Sequence, residues 1–115
     1  MRSREIDQFL DTGWYTDATI YLNGFIYWCE ATKDFETGVI TFTVNRWSAD
    51  CDGEFYHQYV SSDGLVDFSC VFELKDTDLD QIKQQFLRAS IFDGRTFWEI
   101  RNEAIWAEPG EDYMA

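Results

Sequence analysis

The chain reads as an α+β domain: an antiparallel meander sheet of about seven strands with two short helices. Three observations predict that class. Apolar and polar residues alternate over several short segments, turn dipeptides such as Asn23-Gly24 and Asp93-Gly94 punctuate them, and a helical period of about 3.6 replaces the period of two in only two places.

The first helical stretch follows Ser3, a good cap, and sets Ile6, Phe9 and Leu10 on one face, with Gly13 placed as a left-handed terminator. Residues 18–22 and 25–28 flank Asn23-Gly24, whose members both tolerate positive φ, and so predict a tight hairpin. A turn over 33–38 leads to a third strand, 39–47, rich in β-branched residues, with Ile40, Phe42 and Val44 on one side. Polar loops at 48–53 and 61–64 delimit strands at 54–60 and 65–74. In the latter, Val66, Phe68, Cys70, Phe72 and Leu74 form the face expected to be buried.

From Asp76 onward the pattern turns helical. Thr77 and Asp80 resemble a capping box, and Leu79, Ile82, Phe86 and Leu87 form the apolar stripe of a helix over 78–89. Strands at 96–101 and 104–107 then read as a closing hairpin ended by Pro109-Gly110, followed by a loose tail. Residues 25–29 are apolar on both faces, which predicts a sheet covered on each side or strongly curled and leaves a half-barrel or propeller-like arrangement open. No fixed-period repeat supports a true propeller.

With 115 residues, 45% hydrophobic and 18% aromatic, the chain holds enough apolar material for one core, and no linker divides it, so a single domain over 1–115 is expected. The longest apolar runs are too short to cross a bilayer, and the first residues lack the apolar stretch of a signal peptide, which points to the cytoplasm. Cys29, Cys51 and Cys70 form no C-x-x-C pair and read as reduced residues, Cys29 and Cys70 packed on strands.

Charge is the strongest compositional signal. With 22 Asp and Glu against 9 Lys and Arg, the formal net charge is −13, a field that repels nucleic acid and anionic membrane and steers basic partners. Simple solubility is the plainer reading of the same numbers.

Chemistry is hard to find. His57 is the single histidine, and pairing it with Cys51 or Cys70 meets an acidic loop that suppresses a thiolate. The run Asp76-Thr77-Asp78-Leu79-Asp80 starts like a calcium loop, but Gln81 stands where glycine is needed and Leu87 where glutamate is needed. In the 50–54 loop, Gly53 is also misplaced and Ser61 falls at the bidentate position. No phosphate-binding glycine loop or nucleophile elbow occurs, and the basic residues do not cluster along any phosphate path. The expectation is therefore a non-enzyme with no cofactor and no metal.

What remains is acid interleaved with aromatics: Asp34, Phe35 and Glu36; Trp47, Asp50, Asp52, Glu54 and Tyr56; Trp98, Glu99, Glu103 and Trp106. Carboxylates pair with lysine and arginine of a partner, while Trp and Tyr anchor contacts from which water is excluded. Trp47 and Tyr56 are the preferred surface candidates, because they alternate away from Ile40-Phe42-Val44 and Phe55-His57-Tyr59. The competing reading makes the aromatics core and the acids a solvated rim.

In size, charge, tryptophan content and the terminal segments Phe92-Asp93-Gly94-Arg95-Thr96-Phe97-Trp98-Glu99-Ile100 and Ala104-Ile105-Trp106, the chain resembles the small acidic immunity proteins of bacterial polymorphic-toxin and contact-dependent growth inhibition systems. The resemblance implies a cytoplasmic antitoxin that binds a cognate toxin domain, often a basic nuclease, and occludes its active site. Two alternatives stand beside it: a phage-type acidic inhibitor of a host defence nuclease, and a small ligand-binding domain lined by Tyr, Trp and His57.

Overall fold

Asn23 and Gly24 lie at φ 49° and 86°, the left-handed pair that a two-residue hairpin turn demands. They join β1 (Ala18–Leu22) to β2 (Phe25–Lys33) in antiparallel register, with Leu22 opposite Phe25 and Ala18 opposite Cys29. The computed structural model describes Met1, residues 3–48 and residues 69–107. Strand β3 (Ile40–Ser48) pairs along the whole of β2, β4 (Ser69–Asp76) pairs with β3, and β5 (Ile105–Ala107) returns to β1.

The result is a five-stranded antiparallel sheet in the order β4-β3-β2-β1-β5. Among the described residues five strands stand, where seven were expected over the whole chain. Residues 96–101 form no strand: Thr96 caps the short helix α3 (Phe97–Ile100), and its backbone N–H donates to the Glu99 carboxylate at 3.0 Å. That reciprocal Thr-x-x-Glu box favours a helical turn and lets Phe97 and Ile100, three apart, both point into the core. Without that strand, β5 has no hairpin partner and pairs with β1 instead. The expected strand at 54–60 and the first part of that at 65–74 lie outside the described residues. Among those described, β4 and β5 are the edge strands of the sheet.

One face of the sheet carries the core. Helix α1 (Ser3–Gln8), the π-helical turn Phe9–Gly13 that continues it, α2 (Leu79–Arg88) and α3 deliver Phe9, Ile82, Phe86, Phe97 and Ile100 to a cluster with Ile20, Tyr27, Phe42 and Val44. Phe86 is its hub, with ring centroids 5.0 Å from Phe42, 5.9 Å from Trp14, 6.1 Å from Phe92 and 6.4 Å from Phe9. Apart from the stacked Trp14 pair these contacts are tilted or edge-on, an arrangement that adds to area burial because ring edges meet ring faces.

Gly13 does not terminate its helix in the left-handed region. It has no positive φ; a Cβ there would lie 2.5 Å from Cζ2 of Trp106, so the residue is small to let the indole pass. The cap of α2 also differs from expectation. Asp78, not Thr77, is the N-cap, its carboxylate accepting the Asp80 N–H at 3.0 Å.

The opposite face of the sheet is not a plain solvent face. One cross-strand row runs Ile105, Tyr21, Ile26, Trp47, and Ile26 and Trp47 are fully buried although neither belongs to the main cluster. Trp28 meets Trp47 edge-on at 6.3 Å. The reading of residues 25–29 as apolar on both sides therefore describes the sheet well. Cys70 departs from its expected buried position, since a register shift between Val44 and Asn45 leaves Val71 as an extra residue on β4. Phe72 then pairs with Val44 on the core side, whereas Cys70 pairs with Asn45 and is exposed. Cys29 is buried, and desolvation pushes its thiol far above the usual range.

Candidate functional site

The chain from β2 to β3 turns through an acidic tip. The Asp34 N–H donates to Val39 O at 2.9 Å and Gly38 N–H donates to Asp34 O at 2.7 Å, closing the turn, while the Asp34 carboxylate accepts the Glu36 N–H at 2.9 Å. Gly38 supplies the positive φ of 75° that the turn needs. Phe35 is thereby held between two carboxylates and is 92% exposed.

Beside this turn lies a groove of about 410 Å³, lined by Tyr15, Ala31, Thr32, Lys33, Ile40, Thr77 and Leu79. Three parts of the fold build it. Lys33 and Ile40 are register partners at the turn end of β2 and β3, Ile40 is in turn opposite Asp76 at the end of β4, and Leu79 opens α2. Asp76 accepts the Asp78 N–H at 2.9 Å, so a stair of carboxylates, Asp76, Asp78 and Asp80, leads into the positive end of α2. Ala31, Ile40 and Leu79 make the apolar part of the lining, and Tyr15, Thr32 and Thr77 bring hydroxyls.

The other acidic and aromatic constellation sits on α3 and the turn after it. Trp98 is 45% exposed and Ile105 44%. Here the charges are answered within the chain. Arg95 bonds Glu103 at 2.6 Å, the one ion pair among the described residues; Glu99 is occupied by the Thr96 cap, and the Arg101 guanidinium lies 5.9 Å from the Trp98 ring while donating to the Trp98 carbonyl. Arg46, further along the sheet, stacks at 3.9 Å over Phe25. By contrast, Asp34, Glu36, Asp76, Asp78 and Asp80 form no ion pair among the described residues, and Lys33 stands in the groove wall.

The sequence-derived candidates thus separate. Asp34 and Glu36 lie in the turn that follows Lys33 of the groove wall, and Trp98, Glu99 and Glu103 form the second patch. Trp106 is half-buried, packed edge-on against Phe9 at 5.7 Å and over Gly13, which gives it a structural task. Trp47, a preferred surface candidate, is fully buried, because its cross-strand neighbour Ile26 and nearby Trp28 make its side of the sheet apolar. Asp50, Asp52, Glu54 and Tyr56 lie outside the described residues, as does His57. Sequence reasoning missed Tyr15, Ala31, Ile40 and Leu79, which are far apart in the chain and look like ordinary core positions.

Among the described residues no three His, Cys, Asp or Glu side chains gather as a metal site, and no helix is long and apolar enough to cross a membrane. Comparison with known proteins finds no matching family model, no matching curated protein and no matching solved structure.

Proposed function

We propose that the chain is an immunity-type binding protein that neutralises a basic toxin domain, a nuclease in the first instance, by occluding the cleft in which that domain holds its polyanionic substrate. The observation that carries this reading is the distribution of charge. In a chain of net charge −13 the described residues hold a single ion pair, so most of the described carboxylates are left to act on something else. Electrostatic steering by such a field accelerates capture of a cationic partner by roughly ten- to a thousandfold, and ionic strength weakens it. The exposed Phe35, framed by Asp34 and Glu36, supports the same reading, because aromatic anchors within a charged rim dominate protein interfaces.

The test is co-expression with the product of the gene adjacent to this chain's own. A stable one-to-one complex, rescue of growth, and an association rate that falls at least about tenfold between roughly 50 and 500 mM salt are expected. Absence of both complex and protection would remove the proposal.

A further inference from the structure

We infer that the groove at the turn end of the sheet seats a basic segment of the protein partner. One aliphatic or aromatic side chain of that segment lies against Ala31, Ile40 and Leu79, and its neighbouring lysines or arginines meet Asp34, Asp76 and Asp78. The inference rests on the binding reading above and adds to it a place and a chemistry. Two surfaces compete for the role, and charge separates them. At the α3 patch the chain's own cations already stand beside the acids and the ring: Arg95 pairs with Glu103, and the Arg101 guanidinium lies 5.9 Å from the part-exposed Trp98 ring. At the groove the carboxylates accept only backbone N–H groups of their own turns, which leaves further lone pairs pointing to solvent.

The lining selects the centre of the ligand. A groove of about 410 Å³ has room for a large side chain, and the apolar stretch of Ala31, Ile40 and Leu79 rewards its burial by roughly ten- to a hundredfold in affinity. The rim selects the flanks. An acidic segment would face Asp34, Asp76 and Asp78 across a short distance, and a purely basic one would leave the groove empty. Lys33 lines the wall with its long apolar stem, so its ammonium reaches solvent or the neighbouring carboxylates without barring an apolar side chain. Phe35, beside the groove, offers a further ring for a partner cation to cover.

The experiment uses the full chain labelled with ¹⁵N and three synthetic probes: the peptide KKLWKK, hexalysine, and the acidic counterpart EELWEE. At about 50 mM salt, where charges up to ~14 Å apart still interact, KKLWKK is expected to shift the amides of Tyr15, Ala31, Lys33, Ile40, Thr77 and Leu79. It should bind at least roughly tenfold tighter than hexalysine, with EELWEE weaker still. Two surface changes test the two halves of the idea. The triple variant Asp34→Asn, Asp76→Asn, Asp78→Asn keeps every acceptor oxygen of the turns while removing three charges, and Thr77→Arg reverses the rim at an exposed position. Both are expected to weaken KKLWKK about tenfold or more. Trp98→Ala is expected to leave the affinity unchanged.

Equal affinity for KKLWKK and hexalysine overturns the inference, as do shifts centred on residues 98–103. Tight binding of EELWEE overturns it in favour of an apolar site without charge selection. None of these outcomes touches the toxin assay: protection by the chain with an indifferent groove sinks this inference alone, and groove binding without protection sinks the immunity reading alone.

Discussion

Gly13→Ala isolates one packing decision. In a helical turn alanine is the better residue by about 1 kcal/mol, and Gly13 has no positive φ to forbid it, so local propensity alone predicts a more stable protein. Tertiary packing predicts the reverse. The new methyl would stand 2.5 Å from Trp106 Cζ2 and 3.1 Å from both Cε2 and Cη2, so a rigid indole must move by more than half an ångström. Overpacking of that kind costs about 1–3 kcal/mol. Displacing the ring also erodes its edge-on contact with Phe9, worth about 0.5–1.5 kcal/mol. After subtracting the helical gain, the net loss is about 0.5–3.5 kcal/mol, or roughly 2–14 °C in Tm for a chain of this length. Urea unfolding followed by far-UV circular dichroism measures it. Trp106→Phe keeps an aromatic against Phe9 but removes the outer ring, so in that background the alanine cost should fall by at least about 1 kcal/mol. Wild-type stability in Gly13→Ala, or an undiminished cost in the double variant, would refute the packing argument.

Phe86→Ala removes the hub of the aromatic cluster and should cost about 3–5 kcal/mol by the same unfolding assay, with Phe86→Leu losing less than half as much. In a Cys51→Ser background a thiol reagent should modify Cys70 in the native protein and reach Cys29 only on unfolding, because Cys29 is fully buried and its thiol pKa is raised by desolvation. Glu30 has a raised pKa, chiefly from desolvation and secondarily from Asp17. The native state therefore holds that proton more tightly than the unfolded chain does, and stability falls as pH rises from the ordinary glutamate range through the native pKa. Glu30→Gln should accordingly raise Tm at pH 7 relative to wild type, and the advantage should vanish in a melt near pH 4; a constant difference would contradict the burial argument.

How far the sequence could be read depended on whether the deciding interaction was local. The Asn23-Gly24 hairpin was legible because the turn's own dihedrals demand those residues, and α2 was legible because its apolar stripe repeats over several turns. Helix α3 was misread as a strand although Thr96 and Glu99 carry a capping box, since four residues give too little periodicity to compete with an aromatic run. Trp47 and Cys70 failed for a different reason. Alternation assigns faces only relative to a neighbour; Ile26 opposite Trp47 and the extra Val71 on β4 are facts of pairing, which no single strand contains. At the candidate site, exposed Asp34 and Glu36 could be picked out as charge around an aromatic. The groove could not, because it exists only once the register sets Lys33, Ile40 and Asp76 side by side and α2 brings Leu79 to them.

The return of β5 to β1 bears on the order in which the molecule assembles. β1 and β2 meet across a two-residue turn, whereas Tyr21 waits for Ile105, near the other end of the described chain. Contacts of such long sequence separation form late, after the entropy of closing the intervening chain has been overcome. On the ribosome, β1 to β3 can pair while the outer edge of β1 still presents open N–H and C=O groups, and the Met1 ammonium has yet to find the Arg101 and Ala104 carbonyls it later donates to at 2.9 and 2.6 Å. A short three-residue strand thus acts as a late latch on the sheet, and until it engages the outer edge of β1 stays open to pairing with the wrong strand.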